Sequence, residues 1–285
     1  MTEEASTIPP RLKLHESGEA EPFLKWAGGK RGMLSKLKGY LPKSFNTYCE
    51  PFLGGGALFF HLTPANSFLS DLNTELITSY RIVRDKPQEL ISALSRHYYD
   101  KDYYYEIRKQ NPSGLSDVEV AARMIYLNRA GFNGLYRVNK KGEFNVPFGR
   151  YTNPTIVDTA RIMACSDALR GAVIENLSFT EIPWDKFGKG DFIYFDPPYI
   201  PVSKTSSFTA YQGEGFGEEQ QVQLSEIFKR LDKQGSQLLL SNSGHELIKK
   251  LYKGFQIHEV PMLRMINSKA SKRGAITEYL VSNAN

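Results

Sequence analysis

Asp196-Pro197-Pro198-Tyr199 stands directly after the apolar run Phe192 to Phe195. Two prolines cannot continue a central strand or enter a helix interior, because each lacks an N–H and has a fixed φ. The chain must leave a sheet here on a rigid backbone, with Asp196 and Tyr199 displayed at the strand's end. Since Pro198 has no N–H either, the Pro197 carbonyl can face a ligand without a neighbouring amide donor. A carboxylate, a carbonyl and an aromatic ring together suit an exocyclic amino group on a flat heterocyclic base. The nitrogen of such a group is a poor nucleophile, because its lone pair is delocalised into the ring. Two acceptors that hold its hydrogens favour a pyramidal, more reactive nitrogen. Asp196 and Pro197 would supply them, and Tyr199 would stack on a base that has first left its duplex. A plain strand-terminating turn is the structural alternative, so the residues around the motif must decide.

Two further features could complete such a site. Glu50-Pro51-Phe52-Leu53-Gly54-Gly55-Gly56 joins a short apolar segment to ALFFHL, and glycines at a strand-to-helix junction let the backbone approach a ligand closely. The spacing is neither GxGxxG nor GxxxxGK[ST], so dinucleotides and nucleoside triphosphates are not favoured. Asp71 ends the next apolar segment, where an acid can accept hydrogen bonds from ribose hydroxyls. The same SDLNTE stretch also allows helix capping by Ser70, Asp71 or Asn73. A glycine turn, an acid after a second strand and the Asp-Pro-Pro-Tyr run would together form a donor and acceptor site at one sheet edge.

Methylation of a ring carbon would need a cysteine nucleophile, yet neither Cys49 nor Cys165 follows a proline in a suitable loop. No CxxC or His-Cys ligand spacing occurs either, so no metal is expected and both cysteines read as small buried apolar side chains.

The elements that must position these residues follow from apolar periodicity. Asn46 to Glu50 reads as a strand, ALFFHL as a helix start, Ser67 to Ser70 as a strand and Thr74 to Arg84 as a helix. This α/β alternation resumes at Ala172 to Asn176 and continues with Phe192 to Phe195, a helix over Glu218 to Leu231, and strands at Gln237 to Leu240, Phe255 to Val260 and Glu278 to Val281. The stretch between Arg84 and Ala164 breaks the pattern: helical at first, it then becomes the polar, Gly-rich run NRAGFNGLYRVNKKGEFNVPFGRYTNP. So long an excursion inside an α/β chain points to an inserted functional module.

Charge fits a polyanionic partner. The net charge is +5, but the first 21 residues hold five glutamates against two bases, so the remainder carries +8. Lys25, Lys30, Arg31, Lys36, Lys38 and Lys43 lie in an acid-free stretch, and Arg264, Lys269, Lys272 and Arg273 form a second. The leading 21 residues read as a mobile tail without the basic start and apolar run of a signal peptide, and no segment is apolar for the roughly 20 residues that span a bilayer. A cytoplasmic protein is expected.

Taken together, the stretches PFLKWAGGKRGML, YCEPFLGGGALFF, SDLN, NRAGFNGLYRVN, GEFNVPFGRY and YFDPPYIP resemble the Dam-type DNA adenine N6 methyltransferases, and most closely the GATC-modifying enzymes of DpnII-like restriction-modification systems. The resemblance implies a class I S-adenosylmethionine-dependent methyltransferase fold: a mixed seven-stranded sheet whose last strand is antiparallel, flanked by helices. It implies a catalytic domain of residues 22–84 and 165–285 behind the tail of residues 1–21. A mainly helical DNA target-recognition module of residues 85–164 would be inserted in it. S-adenosylmethionine and no metal would be the cofactor, in a pocket formed by Trp26, Lys30, Glu50, Phe52, Gly54, Gly56, Asp71, Phe179 and Asp196. Double-stranded DNA would be the partner, held by Lys25, Phe132, Asn133, Leu135, Arg137 and Tyr151, with a cognate nuclease encoded nearby. Arg and Lys can pair with guanine acceptors in the major groove, and an aromatic or leucine can wedge into the gap left by a flipped base. Many relatives have tyrosine where this chain has Phe132, which keeps stacking and loses a hydroxyl. An RNA guanine amino-group methyltransferase is the runner-up, although such enzymes are usually compact and lack the inserted module. A non-enzymatic DNA-binding protein on the same fold would leave every filled cofactor and acceptor position idle.

Overall fold

The computed structural model describes residues 20–26, 33–199, 216–263 and 275–283. Its centre is a seven-stranded sheet in the order β3-β2-β1-β4-β5-β7-β6. The strands are β1 (Tyr48–Glu50), β2 (Ser67–Ser70), β3 (Val173–Glu175), β4 (Phe192–Phe195), β5 (Gln237–Ser243), β6 (Gln256–Leu263) and β7 (Ala275–Ser282). Neighbours from β3 through β5 pair in parallel, whereas β7 is antiparallel to both β5 and β6. The expected mixed sheet with an antiparallel last strand is therefore present.

The central strands are apolar without alternation because both sheet faces are covered. Tyr48, Phe192 and Tyr194 point into one apolar cluster, and Cys49, Ile193 and Phe195 into another on the opposite face. Helices α8 (Glu218–Lys233) and α9 (Glu246–Leu251) cover the second face, contributing Leu224, Phe228, Leu231 and Ile248. The first face is covered by α1 (Leu34–Leu37), α2 (Ala57–Leu62), α3 (Thr74–Asp85), α4 (Pro87–Leu94), α6 (Asp117–Ala130) and α7 (Thr159–Leu169), with α5 (Lys101–Lys109) further out.

Strand ends differ modestly from expectation. β1 starts at Tyr48, not Asn46, while β5 runs on through polar Ser241, Asn242 and Ser243, because pairing with β7 carries the ladder past the apolar run. β7 itself begins at Ala275, where β6 supplies partners for residues that show no apolar run.

Residues 85–164 do not hang from the sheet by a thread. Helix α6 is capped by a reciprocal Ser116–Glu119 box and buries residues all round its circumference. Ala121, Ala122, Met124 and Ile125 join the sheet-side cluster together with Leu90 and Leu94 of α4. Tyr126, Leu127 and Ala130 face a third cluster with Tyr104, Ile107, Phe144 and Val146. After α6 the chain forms short bridged loops, Gly131 against Phe148 and Val138 against Phe144.

Strand order reverses between β1 and β4, since β2 and β3 lie to one side of β1 and β4 to the other. In open α/β sheets such a switch point opens a crevice at the carboxyl ends of the strands. The glycine turn leaves β1 there and Asp196 leaves β4.

Candidate active site

The glycine turn is fixed from three sides. Gly54 and Gly56 have φ of +47° and +62°, a left-handed backbone that any side chain would strain. A Cβ on Gly54 would also stand 2.7 Å from the Trp26 indole, and one on Gly56 2.7 Å from the Tyr80 hydroxyl. Tyr80 donates to the Gly54 carbonyl at 3.1 Å, and the Gly54 N–H donates to Asp71 Oδ2 at 3.0 Å. Asp71 Oδ1 accepts from the Asn73 N–H at 2.9 Å, while the Asn73 side chain accepts from Leu76 N and caps α3. Asn73 thus takes the capping role that the sequence left open, and Asp71 ties β2 to the turn. The Leu72 N–H also donates to the Asp71 carboxylate, which keeps acceptor capacity for a further donor.

Glu50 lies under the turn, 3% exposed, with Tyr48 donating to its Oε2 at 2.7 Å. Burial raises its carboxyl to about 8 against that hydrogen bond, with the Asp196 charge adding to the rise and the Phe59 N–H opposing it. Phe52 and Phe179 meet at 5.4 Å between ring centroids, and Phe216 closes a triangle with both at 5.6 Å. Trp26 packs on the same turn, against Gly54 and Gly55; Lys30 lies outside the described residues.

At the end of β4 the Asp-Pro-Pro-Tyr run is held from two neighbouring elements. Gln221 of α8 donates to the Pro198 carbonyl at 3.3 Å and accepts from buried Asn242 of β5 at 3.0 Å. Tyr199 donates to Glu278 of β7 at 2.7 Å. Beneath them, Tyr194 and Ser241 share a hydrogen bond of 2.7 Å.

The loop after α6 carries the remaining sequence candidates. Asn133 takes a left-handed φ of +55° and Gly134 one of +61°, which turns the chain back on itself after α6. Phe132 is 47% exposed, and Arg137, also exposed, donates through Nε and Nη2 to the side chain and carbonyl of Asn145 at 2.6 and 3.1 Å. Lys25 Nζ lies 5.0 Å from the centroid of the Tyr151 ring, whose hydroxyl donates to the Gly131 carbonyl at 3.0 Å. Leu135 is half-buried beside the third apolar cluster. The structure thus brings Lys25, Asn133, Gly134 and Tyr151 together, with Phe132 and Arg137 on the outer surface of the same loop.

Comparison with known proteins gives this arrangement a family. Residues 26–266 match the model of the D12 class N6 adenine-specific DNA methyltransferases. The chain is 47% identical over 269 residues to the Type II methyltransferase M1.LlaDCHI of Lactococcus lactis subsp. cremoris, covering 92% of this chain and 95% of that protein. Identity is 41% over 288 residues to the Type II methyltransferase M.MjaIII of Methanocaldococcus jannaschii, with 93% and 99% covered. To the DNA adenine methylase of Escherichia coli K12 it is 35% over 265 residues, with 90% and 93% covered. The chain belongs to the D12 class of N6 adenine-specific DNA methyltransferases.

A D12 methyltransferase acts on DNA, places its methyl group on the N6 amino nitrogen of adenine, and by family uses S-adenosylmethionine. Both cysteines are buried; burial holds the Cys49 thiol well above its ordinary value and raises Cys165 to about 12, so neither is a thiolate at neutral pH. Among the described residues no helix is long and apolar enough to cross a membrane, and no group of three or more possible metal ligands occurs.

The sequence reading missed the residues that hold this D12 site in shape: Tyr80, Asn128, Tyr136, Phe216, Gln221 and Glu278. Phe216 stands just before the helix predicted from Glu218 and Gln221 within its first turn, but only tertiary contact aims them at Phe52 and Pro198. Glu278 had one available signal, an acid opening an apolar strand that turns out to be 7% exposed.

Proposed function

We propose that this D12 methyltransferase modifies the adenine of GATC, swung out of double-stranded DNA, by direct transfer without a covalent enzyme intermediate. One observation carries the reading: Asp196, Pro197 and Tyr199 leave β4 at the switch point, beside the glycine turn that leaves β1. Asp196 and the Pro197 carbonyl hold the two amino hydrogens, which turns the nitrogen lone pair out of the ring system, and Tyr199 stacks on the base. Removing the base from its helix gives the amino group the access that an in-line transfer requires.

The pocket chemistry fits S-adenosylmethionine, which when bound supplies an electrophilic methyl group on a sulfonium. Phe52 and Phe179 offer an aromatic wall for the adenine ring. Asp71 retains acceptor capacity for ribose hydroxyls, and Trp26, Glu50, Gly54, Gly56 and Asp196 complete the lining or its support; Lys30, outside the described residues, is assigned to the pocket by the likeness of its KWAGGK segment alone. No metal has a part in it.

Lys25, Phe132, Asn133, Leu135, Arg137 and Tyr151 form the DNA-facing set within, or beside, a recognition module of residues 85–164 inserted between catalytic segments 22–84 and 165–285. Exposure of Phe132 and Arg137 supports contact with a ligand the size of DNA. The assignment to GATC is supported by the likeness of NRAGFNGLYRVN and GEFNVPFGRY to GATC enzymes. The Type II naming of two relatives supports a cognate restriction nuclease encoded nearby, with no physical contact implied. Two free, buried cysteines suit the reducing cytoplasm.

The test is methylation of a plasmid library by the purified protein, followed by base-resolution mapping. N6-methyladenine confined to GATC is expected; another motif would overturn the site, and methylcytosine would overturn the chemistry. Asp196→Ala should abolish transfer, and full turnover by a correctly folded Asp196→Ala protein would defeat the mechanism.

A further inference from the structure

Trp26 lies between two regions to which the proposed function gives separate tasks. On one side its indole rests on the glycine turn: a Cβ on Gly54 would stand 2.7 Å from its Cδ1, and one on Gly55 3.0 Å from its Cβ. On the other side the ring of Tyr136 stacks on it, with centroids 5.4 Å apart and planes 23° from parallel. Tyr136 sits between Leu135 and Arg137, in the loop assigned to DNA.

Tyr136 is itself anchored. Its hydroxyl donates to Glu75 Oε1 at 3.3 Å, and Glu75 Oε2 accepts from Arg123 Nη1 at 2.9 Å. Arg123 is 3% exposed and spends Nε and Nη2 on the carbonyls of Ile107 and Arg108, both at 3.1 Å. A buried guanidinium so fully engaged cannot shift without leaving a charge unpaired, so Glu75 is a fixed acceptor. The backbone leading into Trp26 is fixed too. Lys25 N–H donates to Asn128 Oδ1 at 2.9 Å, and Asn128 Nδ2 donates to the Lys25 and Gly134 carbonyls at 2.8 and 2.9 Å. With the backbone pinned, the indole is bounded by the Gly54–Gly55 turn on one side and by the Tyr136 ring on the other.

We propose that Tyr136, although it belongs to the DNA-recognition loop, is a positioning residue for the methyl-donor pocket, holding Trp26 flat against the Gly54–Gly55 turn. The inference rests on the assignment of Trp26 to that pocket. Any DNA contact that displaces Leu135 or Arg137 is then transmitted to the donor site through one stacked pair. The sequence could not show this, because Trp26 and Tyr136 are far apart in the chain and their stacking depends on the fold of both segments.

The test uses the full-length protein without DNA, titrated with S-adenosylhomocysteine and followed by calorimetry and tryptophan emission. The chain has two tryptophans, Trp26 and the buried Trp184, so a change confined to the Tyr136 variants reports on Trp26. Loss of the stack in Tyr136→Leu should weaken binding about three- to tenfold and shift the emission. In steady-state turnover the same variant should show a matching rise in KM for the donor. Tyr136→Phe, which keeps the ring and loses the bond to Glu75, should weaken binding about twofold or more. If Tyr136→Leu fails to fold by circular dichroism, Tyr136→Phe decides, and parental affinity in it overturns the proposal. Parental affinity in a folded Tyr136→Leu, with weakened binding in Trp26→Leu, overturns the role of Tyr136 and spares the proposed function. Parental affinity in Trp26→Leu as well removes Trp26 from the pocket and the proposal with it.

Discussion

Tyr199 donates its phenol hydrogen to Glu278 Oε2 across 2.7 Å, joining the end of β4 to the antiparallel strand β7. Burial, then the charges of Asp196 and Glu278, hold the Tyr199 phenol well above its ordinary range, so it remains a donor throughout the working pH. Its ring is therefore fixed from its far end, as a stacking platform requires.

Glu278→Ala should leave a buried hydroxyl short of a partner, at a cost of about 1–3 kcal/mol, and free the ring to turn. Glu278→Gln keeps an acceptor oxygen and should retain most of the activity. Single-turnover methylation of duplex DNA is the measurement. Equal rates for Glu278→Ala and the parent would show that the contact does not orient Tyr199.

Glu50 gives stability a pH dependence. Its carboxyl stands at about 8 in the fold against an ordinary 4.5, so unfolding releases a proton between those values. Its contribution is fully present below pH 4.5, falls as pH rises, and is lost above 8. At pH 7 the cost is on the order of 3 kcal/mol. Glu50→Gln, which still accepts from Tyr48, should raise the urea midpoint at pH 7.5 and flatten its decline from pH 5 to 8.5. Parallel midpoint curves for the two proteins would refute this account.

The cysteines should prove dispensable for chemistry but unequal for stability. Cys165 donates to the Glu21 carbonyl at 3.1 Å, a bond that a serine hydroxyl can remake. Cys49 is enclosed by the apolar cluster of the second sheet face, where a hydroxyl costs about 1–3 kcal/mol. Cys49→Ser should therefore melt well below Cys165→Ser while both retain the parental single-turnover rate. A covalent DNA adduct at either thiol would contradict direct amino methylation.

Arg137 is the residue expected to read a guanine. Asn145 engages Nε and one Nη2 hydrogen, which orients the fork and leaves three N–H donors for a base edge. Arg137→Ala should cost about 1–3 kcal/mol of discrimination at one base pair of GATC. Methylation rates across all singly altered sites, at several salt concentrations, decide the matter. A uniform loss at every site, with a shallower salt dependence, would mean that Arg137 grips phosphate.

The sequence by itself determined the parts whose signals are local. Proline chemistry ended β4 at Asp196, apolar runs marked the strands, glycines marked the turn after β1, and the absence of a suitably placed cysteine pointed to amino-group chemistry. Ser67–Ser70 and Phe192–Phe195 were legible residue for residue, the second because a short apolar run buried on both faces needs no partner to be recognised. What only the tertiary structure decided was every relation across the sheet. Among Ser70, Asp71 and Asn73, each a plausible cap, it gave the cap to Asn73 and left Asp71 tying β2 to the glycine turn. It extended β5 through polar residues by pairing them with β7, and carried β7 back to Ala275 by pairing it with β6. It also set Glu278 against Tyr199 and Tyr136 against Trp26. A hydrogen bond or a stack between residues far apart in the chain leaves no periodic trace in either segment. Its energy exists only once the backbone has closed the distance, and that closure is paid for by burial spread over the whole core.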